Sequence, residues 1–193
     1  MGTTPIKALF LDFDSTISTP TFLERANMWC VADNLQLFQS MTESEIVANL
    51  GGPKRIATLQ DLLSALETAG VKLHIISIGM KAAIVPHLRA VGLLRFFADE
   101  RIWGQDCREL KAVGFVKGRL ISQVMQANGW AVGDALFVDD SKEHIDKASP
   151  ICRTLLVDKS VNGGMDVKEF EFIRQSAGLP SAIQQQQQQA NGS

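Results

Sequence analysis

Short apolar runs that stop abruptly at a polar residue constrain this chain more than any other feature of its sequence. Lys7-Ala8-Leu9-Phe10-Leu11 stops at Asp12, Val71 to Ile76 at Ser77, and Ala135 to Val138 at Asp139, with Thr154 to Val157 the last run. Continuous apolar runs of this length read as strands buried on both faces, the pattern of a parallel sheet. Between them lie stretches with helical spacing, Leu59 to Ala69 closed by Gly70 and Leu120 to Ala127 followed by Gly129. Arg101 to Trp103 adds a further short strand. Strands that alternate with helices need crossover connections, so the expected fold is α/β, a doubly wound, Rossmann-like parallel sheet.

The chain has 193 residues, which at about 150 per domain predicts one domain over 1–180. Residues 17–54 break the alternation and read as a short helical insertion after the first strand, with helices at Phe22 to Ala32 and Glu43 to Leu50. Thr42 with Glu45 has the spacing of a capping box, and Gly51-Gly52-Pro53 that of a helix stop. Phe22 and Trp29 stand at helical spacing and are expected to pack the insertion itself. The tail over 181–193, with glutamines from Gln184 to Gln189, has nothing to bury and is expected to be disordered.

A formal charge of −2 gives no basic excess for phosphate backbones or acidic lipid, so nucleic-acid and membrane partners are not expected. Cys30, Cys107 and Cys152 are too dispersed for a zinc site or a redox pair and read as small hydrophobes of a reducing compartment. The first apolar run is interrupted by Lys7 and Asp12, unlike a signal-peptide core, and Ile6 stands where myristoylation needs Ser or Thr. The Asn191-Gly192-Ser193 sequon would matter only in a secreted protein. The expected location is cytoplasmic.

In an open parallel sheet, ligands bind beyond the carboxyl ends of the strands. The residues delivered there are Asp12-Phe13-Asp14-Ser15-Thr16, Ser77-Ile78-Gly79 and Asp139-Asp140-Ser141, with Lys117 ahead of the helix at 120. Crowded carboxylates repel by about 4 kcal/mol per pair at 4 Å and an effective dielectric of 20, so a cation must offset them. Hard oxygen donors without nearby His or Cys favour Mg²⁺. A phosphoryl group beside it would give Ser77 a role as hydrogen-bond donor and Lys117 one as a point charge. Asp12 could then attack phosphorus, while Asp14 protonates the departing oxygen and later activates water.

With Leu11-Asp12-Phe13-Asp14-Ser15-Thr16, Ser77, Lys117 and Asp139-Asp140 in that order over residues 7–158, the chain resembles the haloacid-dehalogenase-like hydrolase superfamily. The resemblance implies a Mg²⁺-dependent phosphatase, acting on a small-molecule or protein phosphate ester through an aspartyl-phosphate. It makes Asp12 both nucleophile and metal ligand, gives Asp14 a backbone carbonyl on the metal, and has Asp139 complete the set with Asp140 in support. The insertion falls where that superfamily places a helical cap, and is short for one.

Each residue also has a plainer reading. An aspartate or serine after a strand often caps a helix or forms a turn, and it is the ordered conjunction that favours chemistry here. Lys117 is preferred over Lys111 because it directly precedes the helix leading to the acidic pair. Asp134 is expected in a turn at the far end of the sheet, and His74 and His87 as structural residues. His144 reads either as a positioning partner of Asp140 or as a solvated helix residue. A phosphate-receiving signalling domain would carry its acidic pair at the first strand and its lysine last. A dehalogenase would need neither a metal nor an acid at 14. A phosphomutase and a non-catalytic phospho-ligand-binding protein remain as alternatives.

Overall fold

A computed structural model describes residues 4–20, 31–158 and 163–182. Five parallel strands form one sheet in the order β3-β2-β1-β4-β5, with β1 at Ala8–Leu11, β2 at Lys72–Ile76, β3 at Ile102–Trp103, β4 at Ala135–Asp139 and β5 at Arg153–Leu156. The expected doubly wound sheet is therefore observed. The chain steps from β1 through β2 to β3 on one side, then returns to β4 and β5 on the other, so the strand order reverses between β1 and β4.

Successive residues of a strand point to opposite faces, which divides the core in two. Leu9, Leu11, Leu73, Ile75, Leu136 and Val138 face one layer, built from α2 (Glu43–Asn49), α3 (Gly52–Thr68), α4 (Lys81–Ala90) and α8 (Val167–Ser176). Ala8, Phe10, Ile76, Ala135 and Phe137 face the other, built from α5 (Arg108–Ala112), α6 (Lys117–Asn128) and α7 (Lys142–Ala148). Both faces are covered, which is why these strands read as unbroken apolar runs.

The insertion's described helices are α1 (Val31–Ser40) and α2, which pack against α4, and α2 also packs against α3. The capping box at α2 forms as expected: the Glu45 amide donates to Thr42 Oγ1, and Glu45 Oε2 accepts from the Thr42 amide at 2.8 Å. Gly51-Gly52-Pro53 does more than stop a helix. It ends α2 and opens the 17-residue α3, because Pro53 needs no hydrogen-bonded amide in a first turn. The helix expected from Leu59 thus starts at Gly52 and runs through the expected insertion boundary at 54, burying Leu59, Leu62, Leu63 and Leu66 against the sheet. Phe22, Trp29, Cys30 and the Gln184–Gln189 tail lie outside the described residues. Among the described residues no helix is long and apolar enough to cross a membrane.

Candidate active site

Asp12 leaves β1 with its amide donated to the Val138 carbonyl at 2.9 Å, so the strand pairing itself carries its carboxylate to the end of β4 beside Asp139. Both side chains are buried. Between them lies Lys117 Nζ, 2.6 Å from Asp12 Oδ1 and 2.7 Å from Asp139 Oδ2. Lys117 arrives there through a sharp reversal in which Gly114 (φ 65°) and Phe115 (φ 61°) are both left-handed. That conformation costs a side-chain-bearing residue about 1–2 kcal/mol, and it lets α6 begin at Lys117 itself. Lys117 is thus the lysine that lies between the two carboxylates, while Lys111 sits in α5.

The segment Phe13–Ile17 after the strand is a single tight turn, closed by the Ser18 amide on the Phe13 carbonyl at 2.9 Å. Within it Asp14 is extended and Ser15 is left-handed at φ 54°. This swings Asp14 across to the loop after β2, where Oδ2 accepts from Ser77 Oγ at 3.2 Å. Ser77 Oγ in turn accepts from the Gly79 amide at 2.9 Å. A Cβ on Gly79 would lie 2.7 Å from Asp14 Oδ2, so only glycine permits this approach. The second carboxylate oxygen, Asp14 Oδ1, is buried with no hydrogen-bond partner among the described residues. The Ser77 hydroxyl, expected to donate to a ligand, is directed at Asp14 instead.

Charge is unevenly shared in this cluster. Burial pushes Asp12 up to about 8, with the charges of Asp139 and Asp14 adding to it and Lys117 opposing it. Burial likewise raises Asp14 to about 6 although Lys117 and the Ser77 hydrogen bond pull it down. Asp139 behaves oppositely: burial would raise it, but His144, Lys117 and the Ser141 amide hold it below the usual carboxylate value. Lys117 is kept above its ordinary value by the two carboxylates, against burial that would lower it. The cluster contains more carboxylates than buried cations, and the groups that can converge on one ion among the described residues are carboxylates.

Asp12, Asp139 and Asp140 can each bring one oxygen within 4.8 Å of the others. A Mg²⁺ ion with ligands at about 2.0–2.1 Å fits such a donor set, and it would supply the missing positive charge. His144 stands beside this set. Its Nδ1 lies 3.2 Å from Asp139 Oδ2, because Ser141 caps α7 and turns the first helical turn back toward the end of β4. His144 is therefore a direct neighbour of Asp139, a contact that neither of its two sequence readings named.

Asp134, His74 and His87 lie in the elements where the sequence placed them. Asp134 occupies a turn at the opposite end of the sheet, ion-paired with Lys7 at 3.1 Å. His74 is buried in β2 and His87 in α4, where its Nδ1 lies 2.8 Å from the Ala83 carbonyl. Cys152 is buried in the core and burial pushes its thiol up to about 12, while Cys107 is half-buried.

Sequence reasoning missed Arg55. Its guanidinium donates to the carbonyls of Ile17 (2.7 Å), Leu50 (2.9 Å), Thr16 (3.1 Å) and Met165 (3.1 Å), tying the turn after β1, the end of α2 and the segment before α8 together. Burial lowers Arg55 to about 10. Its only local sign is a basic residue in the first turn of α3, where the helix end disfavours a cation.

No family model and no curated protein matches the sequence. Solved structures do match the fold. The HAD domain of effector protein Lem4 from Legionella pneumophila is 14% identical with a TM-score of 0.52, covering 82% of this chain and 88% of its own. An L-2-haloacid dehalogenase is 13% identical with a TM-score of 0.53, covering 89% and 100%. A Clostridium difficile protein provisionally assigned as a phosphatase is 16% identical with a TM-score of 0.51, covering 87% and 92%. This parallel sheet, with its reversal of strand order between β1 and β4, thus shares its fold with the HAD domain of Lem4 and with the haloacid dehalogenase.

Proposed function

We propose that this protein is a Mg²⁺-dependent phosphomonoester hydrolase working through an aspartyl-phosphate on Asp12. The observation that carries the reading is the bridge of Lys117 between buried Asp12 and Asp139, with Asp14 alongside and one of its oxygens unpartnered. Lys117, the Gly79 amide and a re-aimed Ser77 hydroxyl hold the phosphoryl oxygens. The Asp12 carboxylate attacks phosphorus, forming an acyl phosphate as the bond to the ester oxygen breaks. Asp14, raised toward neutrality, gives its proton to that oxygen, so an alcohol leaves. The Asp14 carboxylate then takes a proton from water, whose oxygen attacks phosphorus, releasing inorganic phosphate and restoring Asp12. Asp12, Asp139, Asp140 and the Asp14 backbone would hold Mg²⁺, which when bound supplies the charge that lets a carboxylate approach a dianion.

The insertion, whose described helices lie on α4, is part of the proposal as a partial cover, so bulky esters should be accepted along with small ones. A cytoplasmic location belongs to the same proposal and rests on the dispersed cysteines.

The test is a phosphate-ester panel with Mg²⁺, followed by an acid-quenched single turnover of a ³²P-labelled ester. Inorganic phosphate release with transient, hydroxylamine-labile ³²P label on the Asp12 peptide is expected, and Asp12→Asn should abolish turnover. Asp14→Asn should slow alkyl phosphates by about 10²- to 10⁴-fold and activated aryl esters far less in the phosphorylation step. Label absent from Asp12 would mean direct attack by water. Return of phosphate to substrate would mean a mutase, halide release from haloacids a dehalogenase, and binding without turnover a non-catalytic protein.

A further inference from the structure

The second face of the sheet is thinly covered at one edge, where β3 has two residues and α5 five. There a cavity of about 420 Å³ opens between the sheet and the last turn of α6, within the about 300–1,000 Å³ usual for small-molecule sites. It is separate from the acidic cluster, because Lys72 opens β2 whereas Ser77 follows it, and Asn128 ends α6 whereas Lys117 begins it.

Two kinds of group line it. Half-exposed Trp103 and Trp130 provide aromatic surface, with His74 stacked on Trp103 (5.6 Å between ring centres, 5° between planes) and set edge-on to Trp130 (6.2 Å, 75°). Lys72 and Arg101 provide two positive charges against the single negative charge of Glu100. His74 is 4% exposed, and neither ring nitrogen has a hydrogen-bond partner among the described residues. Burial, with Arg101 and then Lys72, holds its imidazole at about 3, so near neutrality it offers one N–H and one acceptor. A buried polar ring left unpaired in a wall of indoles and cations is a cost that a polar, planar ligand would relieve.

We propose that this cavity binds a small planar aromatic anion, its ring against Trp103 and Trp130 and its acidic group toward Arg101 and Lys72. Either an aromatic carboxylic acid or a nucleoside monophosphate has this chemistry. The assignment is independent of the hydrolase reading.

The test follows the indole N–H resonances of Trp103 and Trp130 in the metal-free wild-type protein, titrated separately with quinoline-2-carboxylate and with adenosine 5′-monophosphate. Saturable shifts of both resonances are expected with at least one acid, and the tighter of the two identifies the ligand source. Arg101→Gln and Lys72→Gln, at side chains that are not buried, should each weaken binding about tenfold, as should replacing the carboxylate by uncharged quinoline. The proposal is overturned if neither acid moves these resonances at millimolar concentration. It is equally overturned if both shifts persist undiminished in Arg101→Gln and Lys72→Gln and the Trp103 shift does so in Trp130→Ala.

Discussion

Lys117 and His74 are buried basic side chains on the same side of one sheet, and they are kept there by opposite means. Lys117 stays charged because two carboxylates lie within 2.7 Å of its ammonium. His74, stacked on Phe10 with ring centres 4.6 Å apart and on Trp103, meets rings and nearby cations and is buried neutral. Burial penalises both charges, so the neighbours decide the outcome. A paired charge holds carboxylates in place for chemistry, whereas a neutral ring serves as a stacking surface that titrates only in acid.

The contrast is broken most severely at Lys117. Lys117→Met leaves Asp12 and Asp139 facing each other without their cation, and should cost about 3–5 kcal/mol in denaturant unfolding at neutral pH. Without Lys117 both carboxyls are raised, so the folded state binds more protons than the unfolded chain and the loss should shrink as pH falls. A variant as stable as wild type at neutral pH would show that Lys117 is not the cluster's counter-charge.

Mg²⁺ tests the same cluster from outside. If it binds only the folded state, the ion at about 100 times its dissociation constant should add about 2.7 kcal/mol to stability. Asp139→Ala should remove more of this increment than Asp140→Ala, because Asp139 is buried at the strand end and Asp140 is only half-buried. Equal losses in the two would give them equal shares in the ion.

His74 should show the smallest effect and the opposite pH sign. Its folded value is depressed from 6.5 to about 3, so the stability it permits is intact above 6.5 and is lost as pH falls toward 3. The slope is about 1.4 kcal/mol per pH unit, or about 2 kcal/mol by pH 5. His74→Phe keeps the stack and should flatten this part of the stability profile, leaving the slope from His87, which burial also depresses. An unchanged slope would mean that His74 is protonated in the folded protein.

What could be read beforehand follows from how far each feature depends on distant contacts. The strands were legible because burial on both faces writes itself as contiguous Val, Ile, Leu and Phe, and the acidic ends because the runs break at Asp12 and Asp139. Lys117 was separable from Lys111 through its place at the helix start. The contact of His144 with Asp139 was not legible, because a sequence position next to a pair does not tell which member a helix turn will face. Arg55 left almost no trace, since its partners are backbone carbonyls, which carry no residue identity.

That last residue has a consequence for how such a chain can change. Ile17 and Leu50 bracket the insertion, and one guanidinium bonds both their carbonyls. Whatever loops out between them leaves and re-enters through a fixed doorway whose frame belongs to α3 and the turn after β1. The material beyond the doorway can therefore be lengthened, shortened or replaced with little strain passed to Asp12 and Asp14. Arg55 makes the insertion an interchangeable fitting on a permanent mount, and transplanting a foreign helical segment between residues 18 and 49 should disturb the acidic cluster less than the single change Arg55→Met.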